Sequence, residues 1–433
     1  MRAFRVLFII GFIGLFQQAG IVLAATPLSD PAALTGILYT NPAPVASDMF
    51  GYGLALKGNY LLVGVPGRST YKGSYYLYGK TPDNQWKLLN TQTYSQNGAG
   101  FGAAVAVDEN NLVVGGSRYD HGVYTDAGGV SIATKNALGE WTEQPMLYPS
   151  DPSDNAEFGG VLCLHESYLA VGAYGYNGSR GAAYIFCNTN GTWTEIARIA
   201  PGGLAAGDSF GTALAMNNQF LAIGAPNQDA NGKADSGAVY LYRNTDGVWS
   251  SWKTLYGSST ADAEFGSAVA LSGNVLMIGA PHESIGGASG AVYVYNLSQS
   301  NTPIKCLLTA ITPQLNAAFG STVALDGNAA VVGSRFFNGD AASSGQATLY
   351  QYDESKGFWY AIRDLPTKTL NASDRFGTTA ALYRNQVVCS APFALQGAAV
   401  SCGNFYVYDL NQTWFREGEA TNDEYGHRET RSG

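Results

Sequence analysis

The sequence predicts an all-β fold built from seven similar repeats, and three observations lead to this prediction. A Phe-Gly pair occurs seven times, and a second small residue follows each glycine thirteen positions later. The glycines of the pairs are Gly51, Gly102, Gly159, Gly211, Gly266, Gly320 and Gly377, and the second small residues are Gly64, Gly115, Gly172, Gly224, Gly279, Gly333 and Ser390. The chain also has 54 glycines and only 13% charged residues, as many short strands joined by tight turns require.

Each repeat can be divided into four strands. After Phe265-Gly266, residues 267–271 alternate small and larger side chains, which is typical of a first, innermost strand. Residues 275–278 form a nearly continuous apolar run, a second strand buried on both faces, and Pro281 is expected to end its pairing. Residues 290–295 are strong β-formers and predict a third strand. In most repeats a tryptophan, such as Trp249, then begins a more exposed fourth strand.

The last repeat has no convincing fourth strand of its own, because its third strand ends at Tyr408 and the chain then becomes polar. Residues 37–40 precede Phe50 much as residues 146–149 precede Phe158. A strand at 37–40 that completed the last sheet would remove two open sheet edges together. The sequence therefore predicts a seven-bladed β-propeller of four-stranded blades, closed by this N-terminal strand. We expect a signal peptide at 1–24, the propeller at 25–415 and a polar tail at 416–433.

The combination of Phe-Gly with Gly-Ala-Pro, at 224–226 and 279–281, resembles the FG-GAP repeat of integrin α-subunit heads and of many bacterial exported proteins. The resemblance covers residues 36–410 and itself implies a β-propeller. Many repeats of this family carry a calcium loop between strands one and two. Here those connections, such as residues 57–59 and 272–274, lack the six to eight oxygens that calcium needs. We therefore expect hairpin turns there, without a metal, and no cofactor.

The N-terminus indicates export. Arg2 and Arg5 precede an apolar run at 6–16, and small residues at 22–24 offer a cleavage site. The run is shorter than the roughly 20 residues that a membrane-spanning helix needs. Removing both arginines leaves 22 basic against 33 acidic residues, a net charge of −11. This balance argues against nucleic acid or anionic lipid as a partner. We expect a monomer that is secreted, periplasmic or at the cell surface, with no membrane insertion after cleavage.

The five cysteines are an odd number for an exported protein. Cys163 replaces an alanine found at the same place in the other repeats, which favours a small buried side chain. Cys389 and Cys402 flank one hairpin loop and could form a disulfide across adjacent strands. Cys187 and Cys306 belong to non-adjacent repeats and are expected to stay reduced.

The chemistry of the loops favours binding over catalysis. The four histidines share no metal-ligand spacing, and no nucleophile, base and orienting group recur together. The long loops between strands two and three instead carry Tyr, Phe and Arg, which concentrate binding energy at recognition surfaces. The candidate ligand-binding residues are Arg118, Tyr119, Tyr174, Tyr176, Arg335, Phe336 and Phe337. Any of these aromatic side chains could instead pack its own loop.

Three hypotheses for the function follow. The first is an exported, non-catalytic binding or adhesion module that recognises a protein or glycan through this loop surface. The second is a hydrolase or lyase acting on polysaccharide through acids such as Asp229, Asp235 and Glu283. The third is a structural spacer without a specific ligand.

Acidic residues before the Phe-Gly pairs are assigned to turns, where their carboxylates would accept backbone hydrogen bonds; these are Asp48, Asp208, Asp262 and Asp374.

Overall fold

The computed structural model describes residues 34–258, 260–285, 288–299 and 304–410, together with the backbone of residues 20 and 21. The predicted signal peptide, apart from those two residues, and the predicted polar tail lie outside this range. Over the described residues the chain is all-β and propeller-like, with several four-stranded sheets. That part of the chain has no helix with the length and apolar composition required to cross a bilayer.

Two short strands precede the first repeat, namely β1 (Gly20–Ile21) and β2 (Ile37–Thr40). The repeats follow as units 1 to 7. Unit 1 contains β3 (Leu54–Lys57), β4 (Tyr60–Gly64), the short segment α1 (Arg68–Tyr71), β5 (Ser74–Lys80) and β6 (Trp86–Thr93). Unit 2 contains β7 (Ala104–Val107), β8 (Asn111–Gly116), β9 (Gly129–Lys135) and β10 (Trp141–Glu143). Unit 3 contains β11 (Val161–His165), β12 (Tyr168–Ala173), the short segment α2 (Tyr176–Ser179), β13 (Ala182–Thr189) and β14 (Thr192–Ile199).

The remaining units repeat this order of strands. Unit 4 contains β15 (Ala213–Met216), β16 (Phe220–Ala225), β17 (Ala238–Thr245) and β18 (Val248–Tyr256). Unit 5 contains β19 (Ala268–Ser272), β20 (Val275–Ile285), β21 (Ala288–Asn296) and β22 (Ile304–Leu308). Unit 6 contains β23 (Phe319–Asp326), β24 (Ala329–Ser334), β25 (Gln346–Asp353) and β26 (Phe358–Asp364). Unit 7 contains β27 (Ala380–Tyr383), β28 (Gln386–Ala391) and β29 (Asn404–Asp409).

Consecutive strands of each unit pair in antiparallel fashion, as the alternation and apolar runs predict. The sheet of unit 7 has β2 as its fourth strand, antiparallel to β29, with Ile37 opposite Val407 and Thr40 opposite Asn404. Units 5 and 6 share one sheet through a parallel bridge between Gly290 and Phe319. The two-residue strand β1 runs parallel to β22.

A backbone hydrogen bond explains the fixed interval between the two glycines of a repeat. The Gly51 N–H donates to the Gly64 carbonyl, and the same bond joins Gly211 to Gly224 at 2.9 Å. Glycine is required in the Phe-Gly pair because its φ is positive in all seven units, from 87° to 99°. The interval is therefore set by the hairpin of strands one and two, which starts and ends at this bond.

Glycine at the second position permits close packing of adjacent units. A Cβ at Gly224 would lie 2.1 Å from the Gly266 carbonyl of the next unit, too close for any side chain. The same contact recurs between neighbouring units, for example from Gly64 to the Gly102 carbonyl. The phenylalanines of all seven pairs are buried within 1% exposure, and core clusters lie between adjacent sheets. One such cluster packs Phe265 and Tyr293 of unit 5 against Phe220 of unit 4.

Tryptophans of the fourth strands act as packing residues. Trp86, Trp193, Trp249 and Trp359 are buried. Trp249 of unit 4 meets the ring of Tyr168 of unit 3 edge to face, with centroids 5.7 Å apart. An aromatic side chain of the outer strand therefore joins one sheet to the next.

Two predictions about local structure are wrong. Pro281 does not end strand two of unit 5, because the ladder skips Pro281 at an irregularity and resumes with Ser284 opposite Ser289.

Cys389 and Cys402 do not form a disulfide, and both are free and buried. The thiol of Cys402 points to the carbonyl oxygens of Val45 and Ala399, at 3.3 and 3.4 Å. Cys389 lies instead in the core between units 6 and 7. Cys163, Cys187 and Cys306 are not part of a disulfide either.

Candidate functional site at the loop face

The loops between strands two and three and the segments before the Phe-Gly pairs meet on one side of the molecule, which we call the loop face. Each preceding segment donates backbone hydrogen bonds to the loop of the previous unit. Examples are Glu157 to Asp126, Ser209 to Ser179 and Ser373 to Ala342. The loop face is thus assembled from neighbouring units rather than from isolated loops.

The segments before the Phe-Gly pairs share one backbone shape. The residue just before each phenylalanine has a left-handed backbone conformation, with φ between 54° and 65°. The residue three positions before each phenylalanine also has a positive φ. The first set is Met49, Gly100, Glu157, Ser209, Glu264, Ala318 and Arg375. Few of these residues are glycine, and non-glycine side chains at positive φ are uncommon. Such strain accompanies turns that hold side chains in a defined place.

The predicted hydrogen bonds of the acidic residues in these turns are present at Asp48, Asp208 and Asp374. The carboxylate of Asp48 accepts from the backbone N–H of Val45 at 3.0 Å, that of Asp208 from Ala205 at 2.8 Å, and that of Asp374 from Asn371 at 2.7 Å. In each case the carboxylate lies three residues after the N–H. These acids therefore stabilise the segments that form the rim of the loop face.

A depression of about 330 Å³ lies in the loop face between units 3 and 6. Its lining includes Tyr174 from unit 3, Asn227 from unit 4, Glu264 and Ser267 from unit 5, and Arg335 from unit 6. Two of the seven predicted binding residues, Tyr174 and Arg335, therefore share one cavity. Both stand at the third corner position, which is proline in the corresponding place of units 4 and 5.

The Tyr174 hydroxyl lies near two groups of opposite charge, Glu157 and Arg118. Burial raises the pKa of the Tyr174 hydroxyl, and a hydrogen bond with Glu157 raises it further, whereas the nearby charge of Arg118 lowers it. Arg118 itself is exposed. The structure thus brings a third predicted binding residue, Arg118, into electrostatic contact with the depression.

Arg335 belongs to a ladder of arginines and aromatic rings at the edge of the depression. Its guanidinium carbon lies 5.0 Å from the centroid of Phe336, and that of Arg375 lies 5.1 Å from the same ring. Arg375 also lies 4.7 Å from the centroid of Phe393. Burial lowers the pKa of Arg335, and the positive charge of Arg375 adds to this. Two guanidinium cations therefore lie against the ring of Phe336, as cation–π attraction allows.

Glu264 and His282 form an ion pair beside Arg335. Their side chains approach to 3.3 Å, and both are partly exposed. The hydrogen bond from His282 lowers the pKa of Glu264, and the same bond raises the pKa of His282. A carboxylate and an imidazole therefore lie next to the Arg335 guanidinium at the depression.

The other three predicted residues are held by contacts with neighbouring side chains or by burial. Tyr119 lies against Phe101, with ring centroids 5.8 Å apart, and is half-buried. Phe337 is buried at 9% exposure. Tyr176 donates to Asp151 at 2.9 Å and accepts from Arg198 at 2.8 Å. These residues follow the alternative in which loop aromatics pack locally.

Of the acids considered for a polysaccharide-cleaving centre, Glu283 is not a free carboxylate. Glu283 is 2% exposed, and its carboxylate accepts from Thr260 at 2.7 Å and from Tyr293 at 2.9 Å. Asp229 accepts from the backbone N–H of Asp235 at 3.1 Å. Over the described ranges, no three His, Cys, Asp or Glu side chains are grouped as a metal site would require.

A larger cavity, of about 520 Å³, lies on the opposite side among the hairpin turns of strands one and two. We call this side the turn face. Its turns are bonded to one another across units: Asn217 donates to the Gly273 carbonyl at 2.8 Å, and Asn218 donates to Glu166 at 2.9 Å. We place the candidate site at the loop face, because two of the predicted binding residues, Tyr174 and Arg335, line the depression there.

Three contributors to the site were not among the predicted residues. Glu264 and Arg375 directly precede a Phe-Gly pair, and Tyr52 directly follows one. Tyr52 is 37% exposed and meets the ring of Phe393 edge to face at 6.4 Å. The signal that could have found them is the alignment of the seven pairs, because flanking positions of a central repeat motif face the same opening.

Comparison with known proteins agrees with this architecture. A model of the FG-GAP repeat matches residues 141–186, 193–242 and 257–295. These residues of the chain are thus FG-GAP repeats within a propeller-like fold. Integrin alpha-6 of Homo sapiens is 28% identical over 208 residues, which is 43% of this chain and 18% of that protein. Integrin alpha-6 of Gallus gallus is 28% identical over 149 residues, 33% of this chain and 14% of that protein. The matched region thus spans less than a fifth of these relatives.

Two solved structures are similar at a lower level. A protein from Lactobacillus plantarum has a TM-score of 0.49 and 16% identity, covering 73% of this chain and 85% of its own. A candidate 6-phosphogluconolactonase from Bacteroides uniformis has a TM-score of 0.49 and 12% identity, covering 74% and 86%. At this level of similarity neither structure bears on the activity of this chain.

Proposed function

We propose that the seven units are the blades of a closed ring. Three contacts join unit 7 to unit 1 as adjacent units are joined elsewhere. The Phe50 N–H donates to the Cys402 carbonyl at 2.9 Å, and Thr379 Oγ1 donates to the Tyr52 carbonyl at 2.7 Å. A Cβ at Gly51 would lie 3.1 Å from the Cβ of Ser390, the residue at the second small position of unit 7. The pairing of β2 with β29 supports the same closure.

We propose that this ring is an exported, non-catalytic binding module that recognises a protein or glycan at its loop face, as an adhesion or envelope-associated component. The observation that carries the proposal is the depression shared by Tyr174, Glu264 and Arg335, side chains supplied by three different units. Export rests on the signal predicted at 1–24, and we propose a monomer. The depression is concave and brings a few polar side chains together, as ligand sites commonly do.

Binding can be tested with a pair of charge-matched variants. The purified mature chain would be applied to a glycan array and to immobilised envelope proteins. Arg118→Ala combined with Arg335→Ala removes two positive charges from the loop face. Lys57→Ala combined with Arg384→Ala removes two from the turn face. We expect only the loop-face variant to lose binding, by tenfold or more, since arginines of this kind act as hot spots.

The melting transitions of both variants serve as the control for folding. Equal binding by the loop-face variant and the unmodified chain would refute the assignment of the face. Binding to nothing on either surface would favour the structural spacer. Incubation with a polysaccharide panel tests the remaining alternative, because reducing ends would accumulate only if the chain were a hydrolase or lyase.

A further inference from the structure

We propose that the paired guanidinium groups of Arg335 and Arg375 form a subsite for a carboxylate, supplied by an acidic side chain of a peptide ligand. This inference rests on the proposed function, because it names the chemistry of the ligand at the loop-face depression. The observations that carry it are the missing partners of the two arginines, the ring between them and the shape of the group they would hold.

Neither arginine is the ion-pair partner of the nearby Glu264, whose charge raises the pKa of Arg335 but whose carboxylate is paired with His282. Among the described residues, neither guanidinium has a carboxylate within ion-pair distance, and the Nε atoms of both are buried without a hydrogen-bond acceptor. Two other arginines of the loop face are paired with carboxylates: Arg68 meets Asp48 at 2.6 Å, and Arg198 meets Asp151 at 2.8 Å. A partly buried cation without a partner is costly, so its retention at a cavity favours an anion from outside.

Both cations lie against the same aromatic ring. Phe336 lies within 5.1 Å of both guanidinium carbons, and Phe393 lies 4.7 Å from that of Arg375. Stacking on a ring fixes the plane of a guanidinium and leaves its N–H edge available. Such an edge matches the two oxygens of a carboxylate.

The surroundings favour a peptide carboxylate over a uronic acid of a polysaccharide. Sugar rings are commonly held against an open aromatic face, but Phe336 already stacks with two guanidinium groups. Phe393 stacks with Arg375 and meets the edge of Tyr52. The depression of about 330 Å³ is also compact. It suits one inserted side chain better than a run of sugars.

The test measures binding of two matched probes, Ac-Gly-Asp-Gly-NH2 and Ac-Gly-Asn-Gly-NH2, to the mature chain by calorimetry and by saturation-transfer NMR. The probes differ only in the carboxylate. We expect the Asp peptide to bind at least tenfold more tightly, as a charge-assisted hydrogen bond allows. Arg335→Gln and Arg375→Gln should each remove this preference. Arg375→Lys keeps the charge without the planar edge and should retain part of it, and Lys57→Gln on the turn face should change nothing.

Folding of each variant is checked by its melting transition, and Arg375→Lys keeps the test informative if a Gln variant is unstable. Equal binding of the two peptides, or a preference unaffected by both Arg→Gln variants, would overturn the inference. Digalacturonate as a third probe decides the ligand class: tighter binding than the Asp peptide would overturn the peptide assignment. If a macromolecule binds the loop face but the Asp peptide does not compete, only this inference fails. If the Asp peptide binds as expected and no macromolecule does, only the wider function fails.

Discussion

The third corner position of the repeat shows how single residues provide the site without changing the scaffold. It holds Pro66, Pro226, Pro281 and Pro392 in four units, but Tyr174 in unit 3 and Arg335 in unit 6. The backbone bond between the two glycines lies just before this position and is formed in units 3 and 4 alike. Because proline is dispensable there, the position can carry a side chain that faces the depression.

The ion pair of His282 and Glu264 predicts a pH-dependent contribution to stability. The pKa of His282 is raised, so its contribution is complete below its ordinary pKa of about 6.5 and is lost as pH rises through the folded value. The pKa of Glu264 is lowered, so its contribution is complete above its ordinary value of about 4.3 and is lost as pH falls through the folded value. The window therefore lies between about pH 4.3 and pH 6.5, while the charge of Arg335 opposes protonation of His282.

We expect His282→Gln to lower the free energy of unfolding by up to about 1 kcal/mol at a pH inside this window, a figure discounted for the partial exposure of both side chains. The loss should shrink toward zero in alkaline buffer. Urea unfolding at the two pH values measures it. The control is the same substitution in a Glu264→Gln background, where pH should no longer matter; a persistent difference would show that another group is responsible.

At the scale of the strands, the hairpin of strands one and two is the element that fixes the repeat. Its backbone bond from glycine to glycine sets the spacing, and the second glycine admits the neighbouring unit. Gly224 has an ordinary φ, so the need for glycine there is steric and not conformational. This separates packing between units from backbone strain within one.

Gly224→Ala should therefore destabilise the protein by about 1–3 kcal/mol, the usual cost of overpacking, because its Cβ would overlap the Gly266 carbonyl. Gly203→Ala is the matched control, since a Cβ there meets no atom within 4 Å and φ is also ordinary. We expect its effect to stay within about 0.5 kcal/mol. Chemical denaturation of both variants gives the comparison, and equal stability would mean that adjacent units can move apart at no cost.

At the scale of the whole molecule, β2 joins the end of the chain to its beginning. Tyr39 stacks on Phe405 of unit 7, with ring centroids 5.1 Å apart and planes 5° from parallel. The same ring meets Tyr78 of unit 1 edge to face, and the Tyr39 hydroxyl accepts from the backbone N–H of Trp86 at 3.3 Å. One side chain of β2 thus contacts both units at the proposed closure.

Tyr39→Ala should lower the free energy of unfolding by about 3 kcal/mol, through loss of aromatic burial and of the two ring contacts. Tyr71→Ala provides the control, because Tyr71 is 49% exposed. Thermal and urea unfolding would measure both. A ring closed by β2 predicts a large difference between the two variants, whereas similar small losses would indicate that β2 is peripheral.

The sequence predicts the strands well because they depend on local pattern and on a backbone bond that only small residues permit. It predicts the site less well, because the direction of a loop side chain depends on the neighbouring unit. Tyr119 and Tyr174 have the same chemistry, yet one packs on Phe101 and the other lines the depression. Arg375 was overlooked because its placement depends on a left-handed turn that side-chain type does not reveal. The spacing of Cys389 and Cys402 likewise did not reveal that their thiols face different surroundings.

The glycine contact between units has an evolutionary consequence. It is formed by main-chain atoms and by the absence of a side chain, so the six joints from unit 1 to unit 7 are chemically the same, whereas unit 7 has Ser390 at this position. A blade can therefore be duplicated, lost or exchanged without redesign of its junctions, and its corner residue can change independently. Repeats that carry Tyr174 or Arg335 can be exchanged for one another, and new ligand specificities can arise by recombining whole repeats.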